Sequence, residues 1–409
     1  MARLSSLESR YGATNYKPLP VTLVRGEGIY VWDEDGHRYL DMMGAYSAAS
    51  FGHCNPRLVE AMTEQARRLD TTSRAYFTDR LGPFLARACE LTGMDAALPA
   101  SGGAESVETA IKAARKWAYK VKGVPDDRAE IIAADGNFHG RTITIVGFST
   151  VAQYRDGFGP FPAGFKLVPF GDAAALEAAI TPNTAAFLIE PIQGEGGIIV
   201  PRRGYLADVA RICRAHNVLL LCDEIQTGLG RTGRFLACQH DGVVPDGMTL
   251  GKALGGGLIP VSLFLARREV MDVFTPGDHG STFGGNPIAA AVGLAALNLL
   301  IDERLAERAA TLGHRLLSRL AAIDNPLVRE VRGRGLFAGI ELDATRAPAA
   351  LVAERLLRAG ILTRDTHRNT VRFAPPLTIE ESEIDWAIDR VAEVLATMAE
   401  DVAAPLAPP

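Results

Sequence analysis

Apolar positions along this 409-residue chain change their spacing twice, and the three regimes predict three kinds of structure. The opening runs VTLVRG (21–26), GIYVWDE (28–34) and HRYLDMM (37–43) alternate at the two-residue period of strands. Asp35-Gly36 supplies a hairpin turn between the second and third, so the chain is expected to begin with a β-meander. From about residue 50 to 300, strand-like runs alternate with helical ones. The segment ESVETAIKAARKWAYKV (105–121) places Val107, Ile111, Ala114, Trp117 and Val121 at helical spacing. EIIAAD, TITIVGF, KLVPF, AAFLIEPI, VLLLCDEI, MTLGKAL and VSLFLAR read as strands, with helices over 172–180 and 204–216 between them. Near-continuous apolar strands separated by helices specify an α/β fold whose largely parallel sheet is covered on both faces.

Beyond about residue 300 the character changes. A helix over 303–322 leads into LVREVRGRGLFAGIELD, a further helix, GILTRD and TVRFAPPL. The closing segment EESEIDWAIDRVAEVLATMA sets Ile384, Ala387, Ile388, Val391, Val394 and Leu395 on one stripe. These elements predict a smaller α+β unit that packs with the meander. The expected division is 1–48 joining the small unit, 49–300 as the large domain, 301–400 as the small domain, and 401–409 as a disordered Pro/Ala tail.

Composition narrows the partners. The chain is 47% hydrophobic and 22% charged with a net charge of −5, and its basic residues are scattered, so nothing attracts nucleic acid. No apolar run reaches the roughly 20 residues of a membrane span. MARLSSLESRYGATNYKPLP has neither the apolar core of a secretory signal nor an Arg-rich amphipathic pattern, which points to the cytoplasm. The five cysteines form no CxxC pair, and Cys238 and His240 lack a second ligand pair, so neither disulfides nor a metal are expected.

Two residues carry the strongest chemical suggestion. Asp223 ends the apolar run LLLCD, and Lys252 lies in the glycine-lined run TLGKALGGG. A lysine in apolar surroundings is a candidate Schiff-base nucleophile, and an acid at a strand end suits a pyridinium nitrogen, which together suggest pyridoxal phosphate. Alone, the lysine reads more readily as a snorkelling surface residue and the acid as a loop cap or metal ligand. Ser101, Gly102 and Gly103 precede a helix, where backbone N–H groups and the helix dipole favour a phosphate, although Ser101 as a simple N-cap fits too. GSTFGGNP (280–287) offers Thr282 as a second anion element. Phe138 is placed to stack on a ring and Gln226 to reach its hydroxyl, with core and surface as their plain readings. GLGRTG (228–233) has dinucleotide-motif spacing, but no amphipathic helix follows, so it reads as a glycine-rich loop.

Taken together, SGGAES, GNFHGRT, EPIQGEGG, LLLCDEIQTGLGRTG, LGKALGGG, HGSTFGGNP and VRFAPPL resemble the class III, fold-type-I pyridoxal-phosphate aminotransferases, in order from about Asn15 to Thr397. NYKPLPV, GAYSAASFGH and TSRAYF make the chain most similar to the branch acting on the terminal amine of ornithine. The resemblance implies a large domain with a mostly parallel seven-stranded sheet and a smaller α+β domain from both termini. It implies Lys252 as the Schiff-base and proton-shuttling lysine and Asp223 as partner of the pyridine nitrogen. Ser101, Gly102 and Gly103 would bind phosphate, joined by Thr282 of a neighbouring subunit, so that a homodimer is the minimum unit. Arg141 and Arg372 would grip the distal and proximal carboxylates of 2-oxoglutarate or glutamate, and Glu195 would mask Arg372 while ornithine is bound. From the residues alone, the favoured reading is that Glu195 and Arg372 form only a structural pair or never meet. Tyr46 and Tyr76 would hold the far end of ornithine, or serve packing. The expected reaction passes the δ-amino group of ornithine to 2-oxoglutarate. Acetylornithine, 4-aminobutyrate or lysine aminotransfer stand as alternatives, followed by racemase, decarboxylase or non-catalytic readings. His139, where some relatives carry Trp, is expected to matter little.

Overall fold

The computed structural model describes residues 4–403. The N-terminal meander forms as β1 (Leu23–Glu27), β2 (Tyr30–Asp33) and β3 (Arg38–Asp41), closed by a turn in which Gly36 takes φ +85°. Seven strands then build the central sheet: β4 (Ala96–Ala100), β5 (Glu130–Ala134), β6 (Phe165–Val168), β7 (Thr184–Ile189), β8 (Leu219–Asp223), β9 (Gly247–Leu250) and β10 (Ser262–Ala266). Their order is β4-β10-β9-β8-β7-β5-β6, and only β10 runs antiparallel to its neighbours. Every residue of β7, β8, β9 and β10 is buried, as strands covered on both faces require. The chain closes with β11 (Val328–Gly333), β12 (Ala338–Leu342), β13 (Ile361–Leu362), β14 (Asp365–Thr366) and β15 (Thr370–Phe373). β13 pairs in parallel with β3, so the two ends of the chain share a sheet.

Local chemistry sets the helix starts. Asn55 and Asn286 accept hydrogen bonds from Arg57 N and Ala289 N, each followed by proline at the first helical position, and they begin helices Pro56–Arg68 and Pro287–Asp302. The closing helix runs Glu381–Ala403, with Ile384, Ala387, Ile388, Val391 and Leu395 buried. It therefore takes in the first three residues of the segment expected to be a tail, and 404–409 lie outside the described residues. None of the helices among the described residues is long and apolar enough to cross a membrane.

One strand assignment is wrong. TITIVGF is not a strand: Ile143–Gly147 is a short helix, whose cap Thr142 accepts from Ile145 N and whose Ile145 and Val146 are buried. Its β-branched alternation yields to that cap, since local side-chain bonding competes with a ladder. The seventh strand is instead β4, AALPA, too weak in β-branched residues to be read from the sequence. GLGRTG is a loop, and its Arg231 is 1% exposed. Arg231 donates to Leu336 O (2.9 Å), Pro375 O (2.5 Å) and Ser50 Oγ (2.9 Å), which ties this loop to the segment at Ser50 and to the C-terminal part of the chain. Burial pulls its pKa down to about 9, partly opposed by Asp41.

Replacing Arg231 with Met should therefore strip two interior carbonyls of a donor and cost roughly 3 kcal/mol. The fall in the urea midpoint at unchanged m-value reads it out, and a loss under about 1 kcal/mol would refute the tie.

Candidate active site

Three neighbouring parallel strands deliver polar groups from their carboxyl ends, where open α/β sheets form their crevices. Asp223 is the last residue of β8 and is 4% exposed. Its carboxylate accepts from Ile225 N (3.1 Å) and Thr249 Oγ1 (3.0 Å), and faces His139 Nδ1 at 2.6 Å. His139 comes from the loop after β5; its side chain is fully buried, and Nε2 has no partner among the described residues. Burial opposes its protonation, yet the bond to Asp223 and the charges of Asp223 and Glu190 outweigh it and raise its pKa. Glu190 follows β7 directly and accepts from Phe138 N (2.8 Å) and Gly194 N (3.0 Å). Burial pushes its pKa up to about 7, helped by Asp223 and opposed by His139.

Lys252 opens a tight turn just after β9, with φ +46°. Its Nζ has no hydrogen-bond partner among the described residues. Burial lowers its pKa, Arg372 adds to the effect, and Glu195, Asp223 and Glu190 oppose it. A left-handed lysine costs about 1–3 kcal/mol of strain, which the packed surroundings hold in place. Ser101 to Gly103 lead into the helix Gly103–Trp117; Ser101 N is taken by Glu105 Oε2 at 2.9 Å, while the N–H groups of Gly102 and Gly103 have no partner among the described residues. A Cβ on Gly102 would meet nothing within 4 Å, so open space lies beside it, whereas one on Gly103 would meet Ile225 at 3.1 Å. Gln226 is buried, and its Oε1 lies where a Cβ on Gly194 would fall, which explains the glycine in EPIQGEGG. An anion cradle, a carboxylate with lone-pair capacity left, an unpaired lysine and the half-buried Phe138 fit pyridoxal phosphate.

Arg372, in β15, is 2% exposed and grips Glu195 with both nitrogens, Nη1–Oε1 at 2.5 Å and Nη2–Oε2 at 3.1 Å. Burial alone would raise the pKa of Glu195, but the guanidinium overrides it and lowers it. The Tyr46 ring lies 4.8 Å from Arg372 Cζ. That ring stands on a left-handed turn in which Gly44, Ala45, Tyr46 and Ser47 all have positive φ, a shape L-residues resist. Asp41 stabilises the entry by accepting from Met43 N and Gly44 N, both at 2.9 Å.

The remaining candidates sit further out. Arg141 is exposed, stacked on Tyr154 at 3.7 Å and near Phe138 at 5.4 Å. Tyr76 is 71% exposed and Thr282 is exposed, and neither side chain makes a hydrogen bond or ring contact with the other candidates among the described residues. A cleft of about 200 Å³ is lined by Phe138, Tyr154, Glu195 and His367. A groove of about 830 Å³ between the meander and the C-terminal helices holds none of this chemistry. His139, Glu190, Tyr154 and His367 were missed as site residues. Glu190 was open to detection, because AAFLIE ends on an acid just as LLLCD does.

A family model described as aminotransferase class-III matches residues 11–395. The chain is similar to the ornithine aminotransferase of Bacillus subtilis, with 53% identity covering 95% of this chain and 96% of that protein. It superposes on the crystal structure of the ornithine aminotransferase of Toxoplasma gondii with a TM-score of 0.95 at 44% identity, covering 97% and 95% of the two chains. An acetylornithine aminotransferase from Elizabethkingia anophelis also matches, with a TM-score of 0.87 at 43% identity, covering 96% and 98%.

Glu190 makes the site pH-sensitive. Its ordinary pKa near 4.5 rises to about 7 on folding, so the folded state keeps a proton that the unfolded state releases. Its contribution to stability is full below about pH 4.5 and is lost as pH rises through 7. Thermal unfolding of cofactor-free protein should show the Glu190→Gln variant gaining on wild type between pH 5 and 7.5, about the window of that shift. A gap that stays constant with pH would contradict this account.

Proposed function

The chain belongs to the class-III aminotransferases, and on that premise we propose that it moves the δ-amino group of L-ornithine to 2-oxoglutarate. The products are glutamate 5-semialdehyde, which closes to a pyrroline carboxylate, and glutamate, formed in two ping-pong half-reactions. The family's cofactor is pyridoxal phosphate, which when bound supplies an electrophilic carbon for the amine and a ring that accepts the electron pair released at the substrate carbon. Gly102 and Gly103 would hold its phosphate, Phe138 its ring face, Gln226 its hydroxyl, and Asp223 the proton on its ring nitrogen. Lys252 Nζ, its charge disfavoured by burial, would be the base that takes the proton from the terminal carbon of the substrate and holds it for return.

The observation that carries the ornithine reading is the bidentate Glu195–Arg372 pair beneath Tyr46. A donor that presents a bare terminal amine meets a neutralised arginine. A 2-oxo acid brings a carboxylate that can take the place of Glu195. Arg141 is then free to grip the far carboxylate of either substrate. The exposure of Tyr76, Phe77 and Thr282 supports a homodimer in which a second copy covers that face and lends Thr282 to its neighbour. The protein is read as cytoplasmic. Acetylornithine transfer is the second reading, favoured by the Elizabethkingia anophelis likeness, and the Tyr46 ring over Arg372 argues for ornithine.

Rates with 2-oxoglutarate as acceptor should rank ornithine above acetylornithine, 4-aminobutyrate and lysine; another best donor would overturn the substrate while leaving the family. Glu195→Gln should lower kcat/KM for ornithine by about tenfold, or ~1.4 kcal/mol, while leaving that for glutamate within a factor of about two. Equal losses for both substrates would argue that the pair is only structural.

A further inference from the structure

Arg141 makes no hydrogen bond or ion pair among the described residues. Its recorded neighbours are two aromatic rings, Tyr154 at 3.7 Å and Phe138 at 5.4 Å from the guanidinium carbon. An exposed arginine with no polar anchor would otherwise sample many rotamers, and ordering them on substrate binding would weaken affinity. Tyr154 is itself held on two sides. Phe138 meets it edge-on with ring centres 6.1 Å apart, and His367 meets it edge-on at 6.2 Å while its Nε2 lies 3.4 Å from the tyrosine hydroxyl.

The source of that second brace matters. His367 sits in the turn between β14 and β15, where Arg368 and Asn369 both have positive φ. Thr366 of this hairpin donates to Glu195 O at 2.7 Å, and β15 carries Arg372. One hairpin therefore holds Arg372 and its masking glutamate, and also braces the ring on which Arg141 lies. Phe138, the ring-stacking candidate, closes the cluster from the other side.

We propose that Tyr154 is the positioning residue of the Arg141 carboxylate clamp, and that through His367 it sets Arg141 in register with Arg372. This rests on the reading of Arg141 as the clamp for the substrate's far carboxylate. Tyr154 touches neither the reacting carbon nor the cofactor in this scheme. It acts by restricting where the guanidinium waits, so its loss should appear in substrate affinity and only for substrates that carry the far carboxylate.

The test uses the holoenzyme with Tyr154→Leu, Tyr154→Phe, Arg141→Gln and the Tyr154→Leu/Arg141→Gln double variant. The acceptors are 2-oxoglutarate and pyruvate, which lacks the far carboxylate; pyruvate is followed by single turnover where it is slow. Tyr154→Leu should raise KM for 2-oxoglutarate about five- to tenfold with kcat within about twofold, and leave kcat/KM for pyruvate and the cofactor's absorbance unchanged. Tyr154→Phe keeps the stacking face and should stay within about twofold of wild type. The double variant should match Arg141→Gln alone, because two residues acting through one clamp are not additive. Should Arg141→Gln leave the KM for 2-oxoglutarate untouched, the clamp reading itself fails. If Arg141→Gln raises it while Tyr154→Leu does not, or if Tyr154→Leu harms both acceptors alike or adds to Arg141→Gln, the proposal is overturned and the clamp reading stands.

Discussion

A carboxylate taken out of water at the end of a β-strand must be compensated, and the site is organised around how Asp223 meets that demand. An uncompensated buried charge costs several kcal/mol, so its position dictates its neighbours. A backbone N–H, the Thr249 hydroxyl and the His139 imidazole supply three hydrogen bonds from three different segments. His139 can serve only because its own strand, β5, ends two places away from β8, with β7 between them. Glu190 at the end of β7 then fixes the backbone of Phe138 and Gly194, which sets the ring face on one side and leaves room for Gln226 on the other. The spacing of parallel strands thus becomes the spacing of chemical groups.

Around that array, local preference is overridden at the positions where chemistry is placed. Lys252 and Tyr46 both sit in the left-handed region, which Asp, Asn and Gly tolerate far better. Each is over-determined by its surroundings: Lys252 by the glycine turn that follows β9, Tyr46 by the Asp41 carboxylate that caps its turn. Strain at these two proposed site residues is compatible with a scaffold that holds a site against its local energy, although Cys54, Asp127 and Arg304, which carry none of this chemistry, also have positive φ.

What the sequence made legible follows from range. Lys252, Asp223 and the Gly102–Gly103 helix start each announce themselves within a few residues, through an apolar strand end or a glycine run. The alternation of strands and helices is equally local, and it yields the sheet. TITIVGF and AALPA escape the sequence for the converse reason: a cap at Thr142 overrides a strong β-branched alternation, and pairing with β10 along all five residues makes a strand of the weak AALPA. His139 carries no sequence signal of its role, since nothing adjacent to it hints at Asp223, 84 positions away. Tyr154 and His367 lie 213 positions apart, and no spacing rule connects them. Pairings of that kind belong to topology.

The β14–β15 hairpin shows why such topology can carry specificity. A dicarboxylate is recognised by two cations at a fixed separation, and two arginines on independent loops would hold that separation only loosely. Arg372 is rigid because it lies in a buried strand and grips Glu195 with both nitrogens. Arg141 lacks such an anchor, so its position must be borrowed from elsewhere. The hairpin that fixes the first arginine also braces, through His367, the ring beneath the second. If Glu195 masks Arg372 as proposed, unmasking it need not disturb Arg141, because Glu195 is tied to that hairpin by its backbone carbonyl while its carboxylate alone pairs with Arg372. A side chain can swing away from the guanidinium while the frame stays still. That separation of a movable carboxylate from a fixed frame is what a site needs if one pocket is to accept a bare amine and then a diacid.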